Sequence, residues 1–474
     1  MSEALFAVVG HPNKGKSSIV ATLTEDDSIA ISGQSGTTTR CRYFPMSVDS
    51  QVLYTLVDTP GFQRARKALR WLNEHNNSLI ERRATVAGFL DTYRDTGEYP
   101  DECELLQPIL NGAGIIYVVD GSVPFGNEYE AEMDILRWTG QPSLALINSQ
   151  GDGAYEQQWR DVLGQYFQVV RSFNAMSAEF DKRIDLLSTF ALLDDRWRHS
   201  LELAVDRLKG ERQARNQRAA TIITTMLIEM VTHVEEQDIG AKIESKTLEP
   251  ILELQYKNFQ RRREEKGRRN IEKIFDYRQL VREESAHTLE LADLFSMRDW
   301  YLWGLNKAQL TLVAAGASAA AGAVLDAVTL GASLGAAALA SSILGGGAAW
   351  FYSDKLASVR IKQVLPLGGR TIAFGPSRHR NFPYVILGRA LRHLKVLKQR
   401  THAQRQVLSL TESEEAQDLQ LEEHWYQSLE QEEKSALDKL MTKLSTGKDI
   451  LNAQQGIVKL LEPLIAAMDE SPKQ

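Results

Sequence analysis

Gly10-His11-Pro12-Asn13-Lys14-Gly15-Lys16-Ser17 follows an apolar run, Leu5-Phe6-Ala7-Val8-Val9, and leads directly into Ile19-Val20-Ala21-Thr22-Leu23. Strand, glycine-bounded loop and helix in that order form a phosphate-binding loop for a nucleoside triphosphate. Backbone N–H groups of such a loop turn inward onto the phosphates, and the first turn of the helix adds its positive dipole end. Gly10, Asn13, Lys14, Gly15 and Ser18 are the expected cradle. Lys16 is expected to reach the β and γ oxygens, and the Ser17 hydroxyl to ligate magnesium.

A second apolar run, Val52-Leu53-Tyr54-Thr55-Leu56-Val57, ends in Asp58-Thr59-Pro60-Gly61. Asp, Pro and Gly are turn formers, so by itself this tetrapeptide is a turn. One strand beyond a phosphate loop it reads instead as a nucleotide switch, with Asp58 holding magnesium through a water and the Gly61 N–H sensing the γ-phosphate. Between the two motifs lies Gly36-Thr37-Thr38-Thr39-Arg40, where a mobile hydroxyl can close on the metal; Thr39 is the expected ligand. The expected fold is an α/β P-loop domain with a mostly parallel sheet and helices on both faces, followed by a mainly α-helical C-terminal region.

With these three motifs the chain resembles the TrmE/Era class of small GTPases, whose members carry Gly-x-Pro-Asn-x-Gly-Lys-Ser, a Thr-Arg switch and Asp-Thr-Pro-Gly. The resemblance covers roughly the first 180 residues, and Thr39 aligns with the threonine before the switch arginine. It implies GTP and GDP as ligands, Mg2+ as the metal and GTP hydrolysis as the activity. Over its whole length the chain resembles bacterial members that bear a large C-terminal domain of unknown function.

Three departures stand out. The base-reading motif is Asn148-Ser149-Gln150-Gly151-Asp152 where the class has Asn-Lys-x-Asp. Asn148 can meet the N7 and O6 edge of guanine, but Asp152 lies one residue late and Ser149 replaces the lysine; Ala175 falls where the class makes a backbone contact to the guanine oxygen. Phe62 stands where other GTPases place a water-orienting glutamine. In the resembled class a potassium ion held by the loop asparagine serves instead, which Asn13 matches; the other reading of Asn13 is a turn residue that tolerates the loop backbone. Lys14 replaces a residue that is usually small, adding a charge of no assigned role.

From Phe62 to Leu110 the domain carries an insert of about 63–110. Leu69-Arg70-Trp71-Leu72, Leu79-Ile80 and Val86-Ala87-Gly88-Phe89-Leu90 suggest two helices, with Asp91 to Glu104 as the following polar loop. Attached to the γ-phosphate sensor, the insert is either a lever that carries the nucleotide state outward or a structural addition.

At 474 residues the chain exceeds one core. Cys41 and Cys103 cannot form a disulfide framework, and no charged-then-apolar leader precedes the first strand, so a cytoplasmic location is expected. The GTPase domain is assigned to 1–195, long helices to 196–305, an Ala/Gly-rich apolar helical hairpin to 306–353, a basic segment to 354–410 and an acidic helical tail to 411–474. Gln260 to Arg269, rich in both charges, reads as a solvated helical face, and without aromatic stacking partners it disfavours nucleic acid.

Residues 310–352 hold a single Asp, Glu, Lys, Arg or His, namely Asp326, whereas 351–410 carry twelve Lys or Arg against one acid, Asp354. Small residues at helical spacing let helix backbones approach closely, in lipid or in the centre of a bundle. The basic flank favours an anionic cytoplasmic leaflet, so the hairpin is expected to sit at, or insert into, the inner membrane face. Gln363 to Pro376 reads as a β-hairpin. Arg378, His379 and Arg380 are either phosphate ligands or a solvated loop, and the acidic tail has the charge to fold against the basic segment. Two function classes follow: a membrane-face GTPase switch, with a nucleotide-dependent dimer as one form, or a soluble GTPase assembly factor binding a protein or ribonucleoprotein partner through its C-terminal helices.

Overall fold

The computed structural model describes residues 4–25, 38–48, 51–148, 153–175, 180–239, 245–275, 294–295, 357–364, 370–377, 379–399, 425–447 and 449–468. The hairpin expected at 306–353, Gly36 and Thr37, Ser149 to Asp152, Arg378 and the acidic run before Trp425 lie outside the described residues. Two compact units result. The first is Met1–Gln213 with Asp276–Gln279 and Lys398–Arg405; the second is Ala214–Phe275, Leu280–Leu397 and Gln406–Gln474.

The first unit is built on six strands: β1 (Ala4–Val9), β2 (Arg42–Val48), β3 (Gln51–Asp58), β4 (Gly114–Asp120), β5 (Ser143–Asn148) and β6 (Val169–Ser172). They stand in the order β2-β3-β1-β4-β5-β6. β1 pairs in parallel with β3 and β4, β4 with β5 and β5 with β6, while β2 runs antiparallel to β3 at the edge. The central strands read as continuous apolar runs because helices cover both sheet faces. Phe6 and Val8 join one buried cluster and Ala7 and Val9 the other, as alternation along a strand requires.

Helices α1 (Lys16–Thr24) and α7 (Phe180–Leu193) and the first half of α8 (Asp195–Thr232) cover one face. The domain therefore runs beyond the expected 195: Trp197, Leu201, Ala204 and Leu208 of α8 are buried on the sheet, and a side chain at Gly114 would collide with the Trp197 ring. The other face carries α2 (Ala65–His75), α3 (Arg82–Tyr93), α4 (Pro100–Leu110), α5 (Asn127–Trp138) and α6 (Glu156–Leu163).

The insert thus holds three α-helices and a short 3-10 turn, Leu79–Glu81, and most of the expected loop Asp91–Glu104 is helical. Pro100 at the first helical turn followed by Asp101 and Glu102 is an N-terminal helix signal, and Leu105, Leu106 and Ile109 bury the face it starts.

In the second unit, β7 (Glu235–Ile239), β8 (Val359–Val364) and β9 (Arg370–Phe374) form an antiparallel sheet in the order β7-β9-β8, so Gln363 to Pro376 contributes to a β-hairpin. Leu252 and Tyr256 of α9 (Ser245–Ile274) pack on Ile239, Ile372 and Phe374.

The run Gln260–Arg269 is a solvated face on one side only, where Arg262, Lys266 and Arg269 are exposed. On the other side Gln260, Glu264 and Gly267 are buried at helical spacing on α9, and the Gln260 amide donates to the Met230 carbonyl at 2.9 Å. The Glu264 carboxylate accepts from Arg389 of α10 (Phe382–Gln399) at 2.6 and 3.2 Å. Part of the basic segment is thereby neutralised inside its own unit: Arg389 is 2 % exposed beside Glu264, and Lys362 pairs with Glu236 at 2.6 Å. His379, read as a phosphate ligand, is buried and its Nδ1 accepts from the Asn381 N–H at 3.2 Å.

Helices α11 (Gln431–Ser445) and α12 (Ile450–Ala467) bury Leu437, Met441 and Leu444, and Ile457, Leu461 and Ile465. Among the described residues the tail meets the basic segment at Asp438, which accepts from Tyr384 at 2.7 Å and, within the tail itself, from Tyr426 at 2.9 Å.

Candidate functional site

The phosphate loop leaves β1 and enters α1 through two left-handed positions, Asn13 at φ 61° and Gly15 at φ 84°. Gly10 has φ 139°, and a side chain there would run into the Val118 carbonyl of β4. Only glycine meets both demands. No described side chain caps α1, which leaves its N-terminus to an anion.

Lys16 is 8 % exposed and donates to the loop carbonyls of Gly10 at 3.2 Å and His11 at 3.0 Å. Burial lowers its ammonium pKa to about 8, against the opposing pull of Asp58 and Glu132. The Gly61 position lies against the loop, where an added Cβ would sit 2.7 Å from the Pro12 ring. Thr59 locks the end of β3 to β1 by donating to the Val8 carbonyl at 2.8 Å.

Asp58 gathers the hydroxyls. Ser17 donates to its Oδ2 at 2.9 Å and Thr38 donates to the same oxygen at 3.1 Å. Its Oδ1 is buried without a hydrogen-bond partner among the described residues. Burial raises the carboxyl above its ordinary range, opposed by Ser17, Lys16, Thr38 and Arg42. Two hydroxyls and a buried carboxylate oxygen that lacks a donor fit a hard divalent cation such as Mg2+. The hydroxyl at this point is that of Thr38. Thr39, the expected ligand, is exposed.

Asn148 is buried and its amide is engaged within the protein. Its Nδ2 donates to the Lys14 carbonyl at 3.2 Å, and its Oδ1 accepts the Ala175 N–H at 3.2 Å. The Ala175 carbonyl in turn accepts from Thr22 at 2.8 Å. Asn148 and Ala175 thus come together as a brace joining the phosphate loop to the turn after β6, and Asp152, outside the described residues, cannot be placed beside them. Lys14 lies 3.9 Å from Asp120 at the end of β4. Asn13 is exposed on the loop, and Phe62 is buried in the core beneath α2.

Sequence reading passed over two buried carboxylates. Glu132 of α5, 1 % exposed, meets His11 Nδ1 at 2.9 Å and accepts from Tyr117 at 2.9 Å behind the loop. Burial raises its pKa against the lowering effect of His11, Tyr117 and Lys16. Glu102 of α4 is fully buried and accepts from the Gln63 and Arg64 N–H groups. Neither carries a motif, because each faces backbone or a ring that only the fold brings near.

The sequence matches two family models. Residues 5–142 match the family described as 50S ribosome-binding GTPase, and residues 160–457 match a domain of unknown function, DUF3482. Among curated relatives, GTPase Der of Mycoplasma pneumoniae is 40 % identical over 65 residues, 14 % of each chain. GTPase Der of Aeromonas hydrophila is 39 % identical over 62 residues, 13 % of this chain and 12 % of that one. The chain therefore spans a small fraction of these relatives. Era in complex with MgGDPNP and part of 16S ribosomal RNA is 14 % identical with TM-score 0.28, covering 58 % of this chain and 90 % of that one. The N-terminal domain is a P-loop GTPase-type domain, and a helical region follows it.

Proposed function

The chain belongs to the DUF3482 family, and from the GTPase domain that precedes that region we propose that the whole protein is a guanine-nucleotide switch that hydrolyses GTP with Mg2+. The observation that carries this reading is the convergence of Ser17 and Thr38 on Asp58, whose second oxygen is left without a donor. Lys16 would hold the β and γ oxygens, the free N-terminus of α1 would hold the phosphates, and the Gly61 N–H would report the γ-phosphate. Ser17 and Thr38 would hold the metal directly and Asp58 through a water. When bound, Mg2+ supplies charge neutralisation of the triphosphate during transfer to water.

Guanine is proposed as the base, with Asn148 acting as the brace that fixes the base-side loops. Phosphate release from GTP and from ATP, with Mg2+ and with EDTA, tests both points: release that is Mg2+-dependent and faster with GTP is expected, and equal rates with ATP would refute the choice of base. Potassium stimulation through Asn13 is part of the same proposal and is supported by the placement of Asn13 on the loop surface. Equal rates in sodium and potassium buffers would remove it.

The output is proposed to be at the cytoplasmic membrane face, through residues 310–352. Support is compositional: one charged residue, Asp326, in that stretch, with a basic segment after it. Among the described residues no helix is long and apolar enough to cross a membrane. Internal pairing of Arg389 and Lys362 favours a second reading, a protein or ribonucleoprotein partner bound by the C-terminal helices, because it reduces the positive charge left for lipid. Flotation with vesicles of phosphatidylglycerol and phosphatidylethanolamine separates the two. Binding that is lost on deleting 310–352 supports the membrane, and no binding supports the partner.

A further inference from the structure

Helix α4 touches both nucleotide-sensing segments. Just after Gly61, the N–H groups of Gln63 and Arg64 donate to the Glu102 carboxylate, and the Arg64 guanidinium donates to the Glu98 carbonyl just before the helix. Three residues after Thr38, the Cys41 N–H donates to the Glu104 carboxylate at 2.9 Å, and the Cys41 thiol donates to the Glu104 carbonyl at 3.1 Å. Residues two apart on a helix point to nearly opposite sides, about 200° apart. The helix therefore stands between the two segments and grips one on each side.

The helix itself is fixed. Cys103, Leu105, Leu106 and Ile109 are buried in the same cluster as Ala7 and Val9 of β1. We infer that α4 is a fixed post for the switches, and that Glu102 and Glu104 are positioning residues that set the spacing between Thr38 and Gly61 around the γ-phosphate. GDP needs only the phosphate loop, whereas a triphosphate needs both segments at once. Loss of a grip should weaken binding of the triphosphate form alone.

This inference rests on the guanine-nucleotide reading, and the test separates the two. Fluorescent mant-GDP and mant-GDPNP are titrated with Mg2+ into the full chain and into its Glu104→Ala and Glu104→Gln variants. Glu104 is half-buried, so its truncation leaves the core intact. Glu104→Ala is expected to weaken mant-GDPNP about tenfold with mant-GDP unchanged within about twofold, and Glu104→Gln, which keeps an acceptor for Cys41, to restore it. Glu102→Ala should act in the same direction, with its mant-GDP affinity as the folding control. Equal weakening of both nucleotides, or no change in either, overturns the inference. Wild-type protein that binds neither mant-GDP nor mant-GDPNP overturns the guanine-nucleotide reading itself, and the inference with it.

Discussion

Asn148 donates its side-chain amide to the Lys14 carbonyl at 3.2 Å, so the residue expected to read a base acts on the phosphate loop. Its other end receives the Ala175 N–H. A single buried amide thereby fixes two loops that arrive from opposite ends of the domain sequence.

Asn148→Ala leaves the Lys14 carbonyl and the Ala175 N–H without their partner. Each buried orphan costs about 1–3 kcal/mol. Dissociation of mant-GDP, followed by stopped-flow fluorescence, should accelerate roughly tenfold or more, with a lower melting temperature.

Asp58→Asn should separate stability from function. The carboxylate is buried, and burial raises its pKa, so its charge is disfavoured in the folded chain. Without nucleotide the variant should melt at or above the wild-type temperature in scanning calorimetry. With nucleotide it should lose the tightening that Mg2+ gives.

Gly10→Ala and Gly61→Ala should damage the loop by different routes. At Gly10 the backbone, φ 139°, opposes a side chain and the Val118 carbonyl blocks it; at Gly61 the Pro12 ring, 2.7 Å from the added Cβ, must give way. Overpacking of this kind costs about 1–3 kcal/mol. Chemical denaturation should show the larger loss for Gly10→Ala, which adds backbone strain.

The Glu264–Arg389 pair makes the second unit sensitive to acid. Burial alone would raise the Glu264 carboxyl, but Arg389, Arg268 and His393 outweigh it and hold the pKa below the ordinary 4.5. With its folded pKa below the unfolded one, the group contributes stability that is complete above pH 4.5 and declines as pH falls toward the folded value. Thermal melts between neutral and acid pH should show that decline, and Glu264→Gln should flatten it. At neutral pH, Glu264→Ala should cost about 3–5 kcal/mol, since it strands a buried guanidinium.

Much of the first unit was legible because parallel strands buried on both faces are continuous apolar runs, as in Val52 to Val57, and because the phosphate loop and Asp58 carry fixed spacings. Strand β2 was not, since Arg42 to Val48 contains Pro45 and lies at the sheet edge, half exposed. Helix α4 hid behind polar residues whose burial only the fold reveals: Glu102 looked like a loop carboxylate and is an internal acceptor. The same applies to Glu264, which counted as surface charge until Arg389 met it from a segment more than a hundred residues away. Periodicity reports which face a helix buries only when that face is apolar. Thr39 was expected where Thr38 stands for a related reason: three successive threonines share one chemistry, and only the backbone path decides which reaches Asp58.

Release of inorganic phosphate from GTP by the full chain, measured with Mg2+ for the wild type and Lys16→Ala, tests the central claim most directly. Mg2+-dependent release that falls roughly 10²-fold or more in the variant is the predicted result. Absence of Mg2+-dependent release by folded wild-type protein, or equal release by both proteins, would contradict it.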